Sequence, residues 1–264
     1  MIGQISLVWK FRYFWLSLVK LDLKTRYRRS ILGIGWSLLN PILMTIVFCL
    51  LFSTWQQNKD WKSFAPFFLA GLSIWEFIRS STLSGCQTFF RNEAYIRQCP
   101  LPLAIYPLRT VLGTLIHFMI ALGVLLLLIS VFTEADHWRA VKMIPVIFPS
   151  LVLLIIFCWA LSVISGFLTV FFQDSQHLLE VFFQIFFFLT PIMYDNQLLV
   201  DRHLKLLATG SPVVIFFDLI REPLLSGNAP PLWLFTKGVI VTFAAMLGAL
   251  AVIRWLEKKL IFHL

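Results

Sequence analysis

The sequence predicts an all-α integral membrane protein with six transmembrane helices. Of its 264 residues, 59% are hydrophobic and 13% are charged, whereas soluble domains carry about 25% charged residues. The mean hydropathy is +0.85, and several apolar segments reach the roughly 20 residues that a helix needs to cross a bilayer. An N-terminal amphipathic interface helix, a cytoplasmic coupling helix and short re-entrant helices complete a single predicted domain over residues 1–264.

Hydropathy along the chain places the six spans. They cover residues 31–53, 64–89, 105–132, 143–172, 178–194 and 237–253. The chain accordingly divides into an interface helix over 1–30, spans one to five over 31–194, an external re-entrant region over 195–236, and span six with its tail over 237–264. Glu180 leaves the fifth span with a short uncharged run.

The segment before the first span has the pattern of a helix lying on the membrane surface. Over residues 9–28, basic and polar residues recur at steps of three or four, and apolar residues fall on the other side. The first set is Lys10, Tyr13, Ser17, Lys20, Lys24 and Arg28, and the second is Phe11, Phe14, Trp15, Leu18 and Leu21. The apolar side is predicted to face the lipid, and the basic side the lipid phosphates.

Basic residues at the span boundaries predict the orientation. They concentrate in the N-terminal arm, in the loop between spans two and three, and after span six. The last two regions contribute Arg91, Arg97, Arg254, Lys258 and Lys259. Because cytoplasmic loops are rich in Lys and Arg, both termini are predicted to be cytoplasmic, although the loop 173–176 carries no basic residue. The formal charge of +9 follows this distribution, which indicates membrane lipids rather than nucleic acid as a partner.

The loop over residues 91–106 predicts a short helix on the cytoplasmic side. Asn92 is suited to cap it, Glu93 suits its first turn, and Pro100 and Pro102 end it. One interpretation is an ordinary connection between two spans. The other is a coupling helix that docks on a motor subunit and passes its movement to the spans. The coupling residues are then Asn92, Glu93, Tyr95, Ile96 and Arg97.

The fifth span is rich in aromatic residues. Phe183, Phe186, Phe187 and Tyr194 fall near one face, and Pro191 distorts the helix close to its outer end. Aromatic rings can stack weakly and repeatedly on the apolar faces of sugars, as a sliding polymer requires. The alternative is that the Phe side chains face lipid and that Tyr194 anchors the span at the interface.

The connection between spans five and six contains an apolar run, 213–220, that is too short to cross the bilayer. Four prolines punctuate its surroundings, Pro212, Pro223, Pro230 and Pro231. One or two short helices that dip into the outer interface are predicted here, and non-spanning backbone at that depth must be shielded by protein.

Catalytic motifs are missing from the sequence. It contains no G-x-x-x-x-G-K-[ST] phosphate loop, and its five His and four Cys residues lack metal spacing. A non-enzymatic chain without a bound cofactor is expected, driven by a partner or an ion gradient. Glu76 and Arg79 lie at i and i+3 in the second span. A structural salt bridge is favoured for them over a substrate or ion site.

Four segments in order resemble a known family. LKTRYRRSILGIGWSLLNPIL (23–43) carries a basic stretch before L-G-x-x-W and a later proline, and NEAYIRQCPLPLAIYPL (92–108) covers the cytoplasmic loop. FFQDSQHLLEVFFQIFFFLTPIMY (171–194) ends in T-P-I-x-Y, and 211–230 contains Arg221 and Gly227. Together they resemble the membrane subunit of bacterial ABC-2-type polysaccharide exporters, which include the O-antigen and teichoic acid export permeases. Gln98-Cys99 before Pro100, Gln173 and Ser211 depart from the family's usual residues.

The resemblance implies a homodimer in the bacterial inner membrane, joined by two copies of a separate ABC ATPase that bind ATP and magnesium. A lipid-linked polysaccharide would pass through a channel at the dimer interface, lined by spans one and five. The implied substrate-binding residues are Arg26, Arg28, Arg29, Trp36, Phe183, Phe187 and Tyr194. The alternatives are an ABC-2 permease for a lipid or drug, and a membrane-embedded polyprenyl-phosphate transferase. Asp195 and Asp201 are too sparse for the metal site that a transferase requires.

Overall fold

The structure is a computed structural model that describes residues 11–26, 28, 33, 35–55, 61–98, 101–132, 139–194 and 211–264. Its regular secondary structure in these ranges is helical, which confirms the all-α class. In chain order the helices are α1 (Arg12–Arg26), α2 (Gly35–Trp55), α3 (Trp61–Cys86), a 3-10 turn (Phe90–Asn92), α4 (Glu93–Gln98), α5 (Ile105–Phe132), α6 (Arg139–Lys142), α7 (Ile144–Phe171), α8 (Ser175–Leu189), α9 (Pro212–Ser226) and α10 (Leu232–His263).

Three helices are long and apolar enough to cross a membrane. They are α5, α7 and the part of α10 over Leu232–Leu260, and shorter apolar stretches cover Leu39–Leu51 in α2 and Ser175–Leu189 in α8. These lengths and compositions confirm a multi-pass membrane protein. The count of six spans, and the position of α1 and α9 at the membrane interfaces, remain predictions.

Two helices differ from the predicted spans for clear physical reasons. Helix α8 ends at Leu189 instead of residue 194 because Thr190, which precedes a proline, adopts an extended conformation with ψ of 137°. Helix α10 continues well past residue 253, to His263. Its last turns include Glu257, Lys258 and Lys259, which favour helix even after the apolar run has ended.

Small residues bring α3 and α7 into close contact. A Cβ atom added at Gly85 would lie 2.7 Å from the Cα atom of Ser162, and one added at Gly166 would lie 3.0 Å from the Gly85 carbonyl oxygen. The Ser165 hydroxyl donates a hydrogen bond to the Thr82 carbonyl oxygen at 2.8 Å. Glycine and serine allow membrane helices to approach backbone to backbone, and here they fix α3 against α7.

Helix α9 is shielded by protein, as expected for the external region. It contacts α3, α7 and α10, and Phe216, Phe217 and Leu219 are fully buried. Buried Arg221 donates a hydrogen bond from Nη1 to the Pro191 carbonyl oxygen at 3.0 Å, and its guanidinium lies 4.0 Å from the centroid of the Phe67 ring. Arg221 thereby ties α9 to the distorted end of the fifth-span helix. Residues 195–210 lie outside the described ranges.

The first and last helices both approach α4 at one end of the bundle. Ile96 of α4 belongs to the same buried cluster as Phe167 of α7 and Leu260 of α10. On α1, the ring of Phe14 contacts that of Tyr95 on α4, with centroids 6.1 Å apart. The described parts of both terminal regions therefore lie on the side of α4, the predicted coupling helix, and we refer to this side as the coupling end.

Candidate transport cavity and coupling junction

A cavity of about 1090 Å³ lies between α2, α3, α5 and α8. We call it the central cavity. One group of its lining residues is aromatic: Trp36, Phe48, Trp75, Phe77, Phe118, Phe183, Phe187 and Phe188. A second group can form hydrogen bonds: Asn40, Ser73, Glu76, Arg79, Ser80, Ser84, Thr114, His117, Glu180 and Gln184. Cavities of this size suit organic ligands, and this lining offers both apolar and polar contacts.

The aromatic lining is organised around Trp75 of α3. Its ring centroid lies 5.6 Å from that of Phe183 and 5.8 Å from that of Phe187, both with the edge of one ring directed at the face of the other. Such edge-to-face pairs are favourable arrangements of aromatic rings. The structure thus places Phe183 and Phe187 at the cavity rather than on the lipid-facing side of α8. The sequence analysis did not single out Trp75, although this residue adjoins Glu76 in the second span.

The other predicted substrate-binding residues are distributed differently. Trp36, 56% exposed, lines the cavity from the first turn of α2. Tyr194 is absent from the described lining, and its hydroxyl donates a hydrogen bond to the Phe188 carbonyl oxygen at 3.1 Å. Arg26 ends α1 and Arg28 is exposed, whereas Arg29 lies outside the described residues. The structure therefore unites Trp36, Phe183 and Phe187, and their contact with a substrate remains a prediction.

An ion pair borders the cavity on α3. Arg79 Nη1 lies 3.3 Å from Glu76 Oε2, and the two side chains are 40% and 50% exposed. Across the cavity, Gln176 donates a hydrogen bond to Glu180 at 3.0 Å, and Gln176 is itself bonded to Gln87 at the end of α3. The predicted salt bridge is present, and it faces the cavity instead of a packed helix interface.

The coupling end contains a second ion pair, which is held by shorter hydrogen bonds than the first. Arg109 of α5 donates to both carboxylate oxygens of Asp22 on α1, at 2.5 and 2.6 Å. Its remaining terminal nitrogen, Nη1, donates to the side-chain oxygen of Asn92. The Arg109 side chain is only 12% exposed, and paired hydrogen bonds between guanidinium and carboxylate are both strong and directional. We call this set the coupling junction, because it joins α1, α5 and the turn that leads into α4.

The side chain of Asn92 makes other hydrogen bonds than those predicted for a helix cap. It is buried, and its amide nitrogen donates to the Thr88 carbonyl oxygen at 2.7 Å, while its side-chain oxygen accepts from Arg109. Its side chain therefore holds the preceding turn to α5. Glu93 lies in the first turn of α4, as expected.

Helix α4 has one attached side and one open side. Ile96 is 7% exposed and packs into the bundle, and Tyr95 contacts α1 through Phe14. Glu93 and Arg97 are paired at 2.8 Å, with side chains 40% and 51% exposed. An apolar attachment beneath an exposed charged face is an arrangement on which another subunit can dock. Docking by these residues remains a prediction.

Asp22 and Arg109 were missed in the sequence, although each leaves a signal. Asp22 is the single acidic residue of the basic N-terminal arm, and Arg109 is a lone charge just inside the predicted third span. An isolated charge at the edge of an apolar segment requires a partner. The two residues pair with each other because α1 crosses the start of α5, and the sequence alone does not show that crossing.

Comparison with known proteins gives a consistent family. The family model described as "ABC-2 type transporter" matches residues 13–225. An "O-antigen export system permease protein RfbA" from Myxococcus xanthus is 28% identical over 251 residues, covering 93% of this chain and 94% of that protein. A protein of the same name from Klebsiella pneumoniae is 25% identical over 228 residues, covering 85% and 86%. The predicted resemblance is confirmed: this chain belongs to the ABC-2 type transporter family, as a membrane permease and not a catalytic enzyme.

Proposed function

We propose that this chain is the permease subunit of an ATP-driven exporter that moves a lipid-linked polysaccharide, such as an O-antigen, from the cytoplasm to the periplasm. The central cavity is the observation on which the proposal rests, because it combines an aromatic lining with a hydrogen-bonding lining. The names of the Myxococcus and Klebsiella relatives support the same class of substrate.

Carbohydrates match both parts of this lining. A sugar ring has apolar C–H faces that stack on aromatic rings such as those of Trp75 and Phe187. Its hydroxyl groups donate and accept hydrogen bonds at its edges, where Asn40, Ser84 and Gln184 are available. No single contact in this set is strong, and a polymer that must keep moving requires contacts of this kind.

The energy for transport is proposed to come from a separate ABC ATPase subunit. That subunit would dock on the exposed face of α4, where Glu93, Tyr95 and Arg97 are accessible. Displacement of α4 would then reach α1 and α5 through Asn92 and Arg109, since these side chains are hydrogen-bonded. The membrane helices and the surface helix would shift together.

A homodimer is proposed because the two helices that border the cavity on its outer side, α2 and α8, lie at the surface of the single chain. Their outward side chains include Leu43 and Val47 on α2 and Leu178, Val181 and Ile185 on α8, and a second copy can pack there in place of lipid. In a dimer joined near these helices, the cavities of two copies would form one channel. The basic residues Arg26, Arg28 and Arg29 would meet the lipid pyrophosphate at its cytoplasmic entrance.

The alternative functions have less support. A lipid or drug permease of the same family has less support, because the names of the Myxococcus and Klebsiella relatives point to O-antigen as the substrate. A polyprenyl-phosphate transferase has less support because the match to the ABC-2 type transporter model covers residues 13–225. We therefore favour export of a glycan.

Co-purification with a co-expressed ABC ATPase from the same organism tests the proposal. The complex, in nanodiscs, is assayed for ATP turnover with and without a lipid-linked O-polysaccharide. A stable complex of two permeases and two ATPases whose turnover rises with the glycan is expected. A stable complex stimulated by a short-chain lipid or a drug, and indifferent to glycan, would contradict the proposed substrate. Failure to form a complex would contradict the docking role of α4.

A further inference from the structure

The central cavity is acidic although the chain is basic. Its described lining contains two carboxylates, Glu76 and Glu180, one guanidinium, Arg79, and one imidazole, His117. With a neutral imidazole the lining therefore carries a net negative charge, against a formal charge of +9 for the whole chain. A homodimer would double this negative charge within one channel.

The three charged side chains line the cavity from two helices. Arg79 lies on the same helix as Glu76, one turn away, at 3.3 Å, and Glu180 lines the same cavity from α8. Two carboxylates and one cation are thus exposed to the same space. Because the Glu76 pair is formed within α3, it fastens no second helix, so both of its charges remain available to a molecule in the cavity.

Glu180 is held in position by its own neighbours. Gln176 donates to one carboxylate oxygen at 3.0 Å, and His177 Nδ1 lies 3.6 Å from the other. Gln176 is anchored in turn by Gln87, the residue that follows α3. The Glu180 side chain nevertheless remains 43% exposed, so a fixed negative charge is presented to the cavity.

We infer that Glu76, Arg79 and Glu180 select the glycan by its charge. The cavity accepts polymers whose repeating units are uncharged and rejects those that carry a carboxylate or phosphate in each repeat. Hydroxyl and acetamido groups donate hydrogen bonds to carboxylates, whereas like charges repel each other, most strongly at low salt. This inference rests on the proposed function, since it takes the central cavity as the path of the polymer. The pyrophosphate of the lipid carrier occurs only once in each molecule, and the basic residues of the N-terminal arm can bind it.

Binding of two matched oligosaccharides tests the inference. The purified chain in zwitterionic nanodiscs is titrated with maltoheptaose, which is neutral, and with a heptamer of galacturonate, which is anionic. Quenching of tryptophan fluorescence reports binding, because Trp36 and Trp75 line the cavity. The wild-type chain is expected to bind the neutral probe roughly tenfold more tightly than the anionic one at low salt, with a smaller ratio at high salt.

Substitutions of opposite sign separate selection from a structural role. The double variant Glu76→Gln/Glu180→Gln is expected to bring the ratio to about twofold or less, and Arg79→Gln is expected to increase it several-fold. Glu222→Gln is the matched control, because Glu222 is exposed on α9 and is absent from the described lining. Thermal unfolding and gel filtration establish that each variant is folded.

The outcomes distinguish the inference from the proposed function. A ratio that shifts in opposite directions in the two variants supports charge selection. Binding of both probes with a ratio that the variants leave unchanged overturns the inference and leaves the cavity as a glycan path. Absence of binding to either probe, in folded protein, counts against the proposed function and removes the inference with it.

Discussion

Two arginine residues of this chain form ion pairs that differ in burial and in what they connect. Arg109 is 12% exposed and joins three parts of the coupling end through Asp22 and Asn92. Arg79 is 40% exposed and pairs with Glu76 on its own helix, facing the central cavity. In the apolar sequence both look alike, as single basic residues within predicted spans. Their surroundings assign them to different tasks.

The difference lies in what each pair holds together. In the junction the Arg109 side chain is 12% exposed and that of Asp22 is 45% exposed. Breaking the junction is costly for its buried groups, the Arg109 guanidinium and the Asn92 amide, because they lose their hydrogen-bond partners. An exposed pair one turn apart on a helix contributes only about 0.2–0.5 kcal/mol to stability. The coupling junction is therefore expected to support the fold and the passage of movement, whereas the cavity pair is expected to act on the substrate.

The largest effect is expected from Arg109→Ala. This change deprives Asp22 of its partner and leaves the side-chain oxygen of buried Asn92 without the donor seen here. We expect a loss of about 2 kcal/mol in stability and export reduced by roughly tenfold or more. Melting of the purified protein and export in cells measure the two effects. The charge exchange Asp22→Arg/Arg109→Asp should recover part of both, and an unaltered melting temperature in Arg109→Ala would refute the role of the junction.

The next effect concerns the open face of α4. The double variant Glu93→Ala/Arg97→Ala removes an exposed pair, so stability should change by less than about 1 kcal/mol. Export should nevertheless fall by roughly tenfold while ATP hydrolysis by the partner continues, because the docking surface is lost. Turnover and export are measured on the same preparation. Glu257→Ala is a control on another helix at the coupling end, and unchanged coupling in the double variant would exclude α4 as the docking helix.

A smaller effect is expected from the aromatic lining. Phe187→Ala removes a ring that contacts Trp75 at the cavity, and we expect export of long polymers to fall about threefold with little change in ATP turnover. Tyr194→Ala should have a weaker effect, since Tyr194 is absent from the described lining. The length distribution of the exported glycan provides the measurement. Equal export of every length in Phe187→Ala would place that ring outside the path.

The smallest effect on stability is expected from Glu76→Gln. The pair with Arg79 lies within one helix and is half exposed, so the free energy of unfolding should change by less than about 0.5 kcal/mol. Chemical denaturation in detergent, compared directly with Arg109→Ala, measures this difference. A loss as large as that of Arg109→Ala would show that Glu76 is part of the fold and would remove the contrast between the two pairs.

Much of the fold could be predicted from the sequence, because long apolar runs and prolines act locally. The helix predicted over 105–132 has the bounds Ile105–Phe132, and the short helix before Pro100 is present. A distortion at Pro191 was predicted, but the end of α8 at Leu189 was not, because hydropathy alone carried the predicted span on to residue 194. The extension of α10 was missed for a similar reason, since its charged end favours helix without being apolar.

The candidate site was predictable only in part. Phe183 and Phe187 were identified by composition, but their side of the helix depends on contact with Trp75 of α3, which is distant in sequence. The partnership of Asp22 with Arg109 likewise joins α1 to α5. Local patterns specify the helices, and pairing between helices follows from packing that one sequence does not display.

Photochemical crosslinking from α8 tests most directly whether the central cavity carries the glycan. A photo-crosslinking amino acid is placed at Gln184, which lines the cavity, or at Ile240 of α10, which is 66% exposed and absent from the described lining. The complex with its ATPase is then illuminated during export of a radiolabelled lipid-linked polysaccharide. A path through the cavity predicts ATP-dependent labelling from position 184 and little from position 240. Equal labelling from both positions, or labelling from 240 alone, would contradict it.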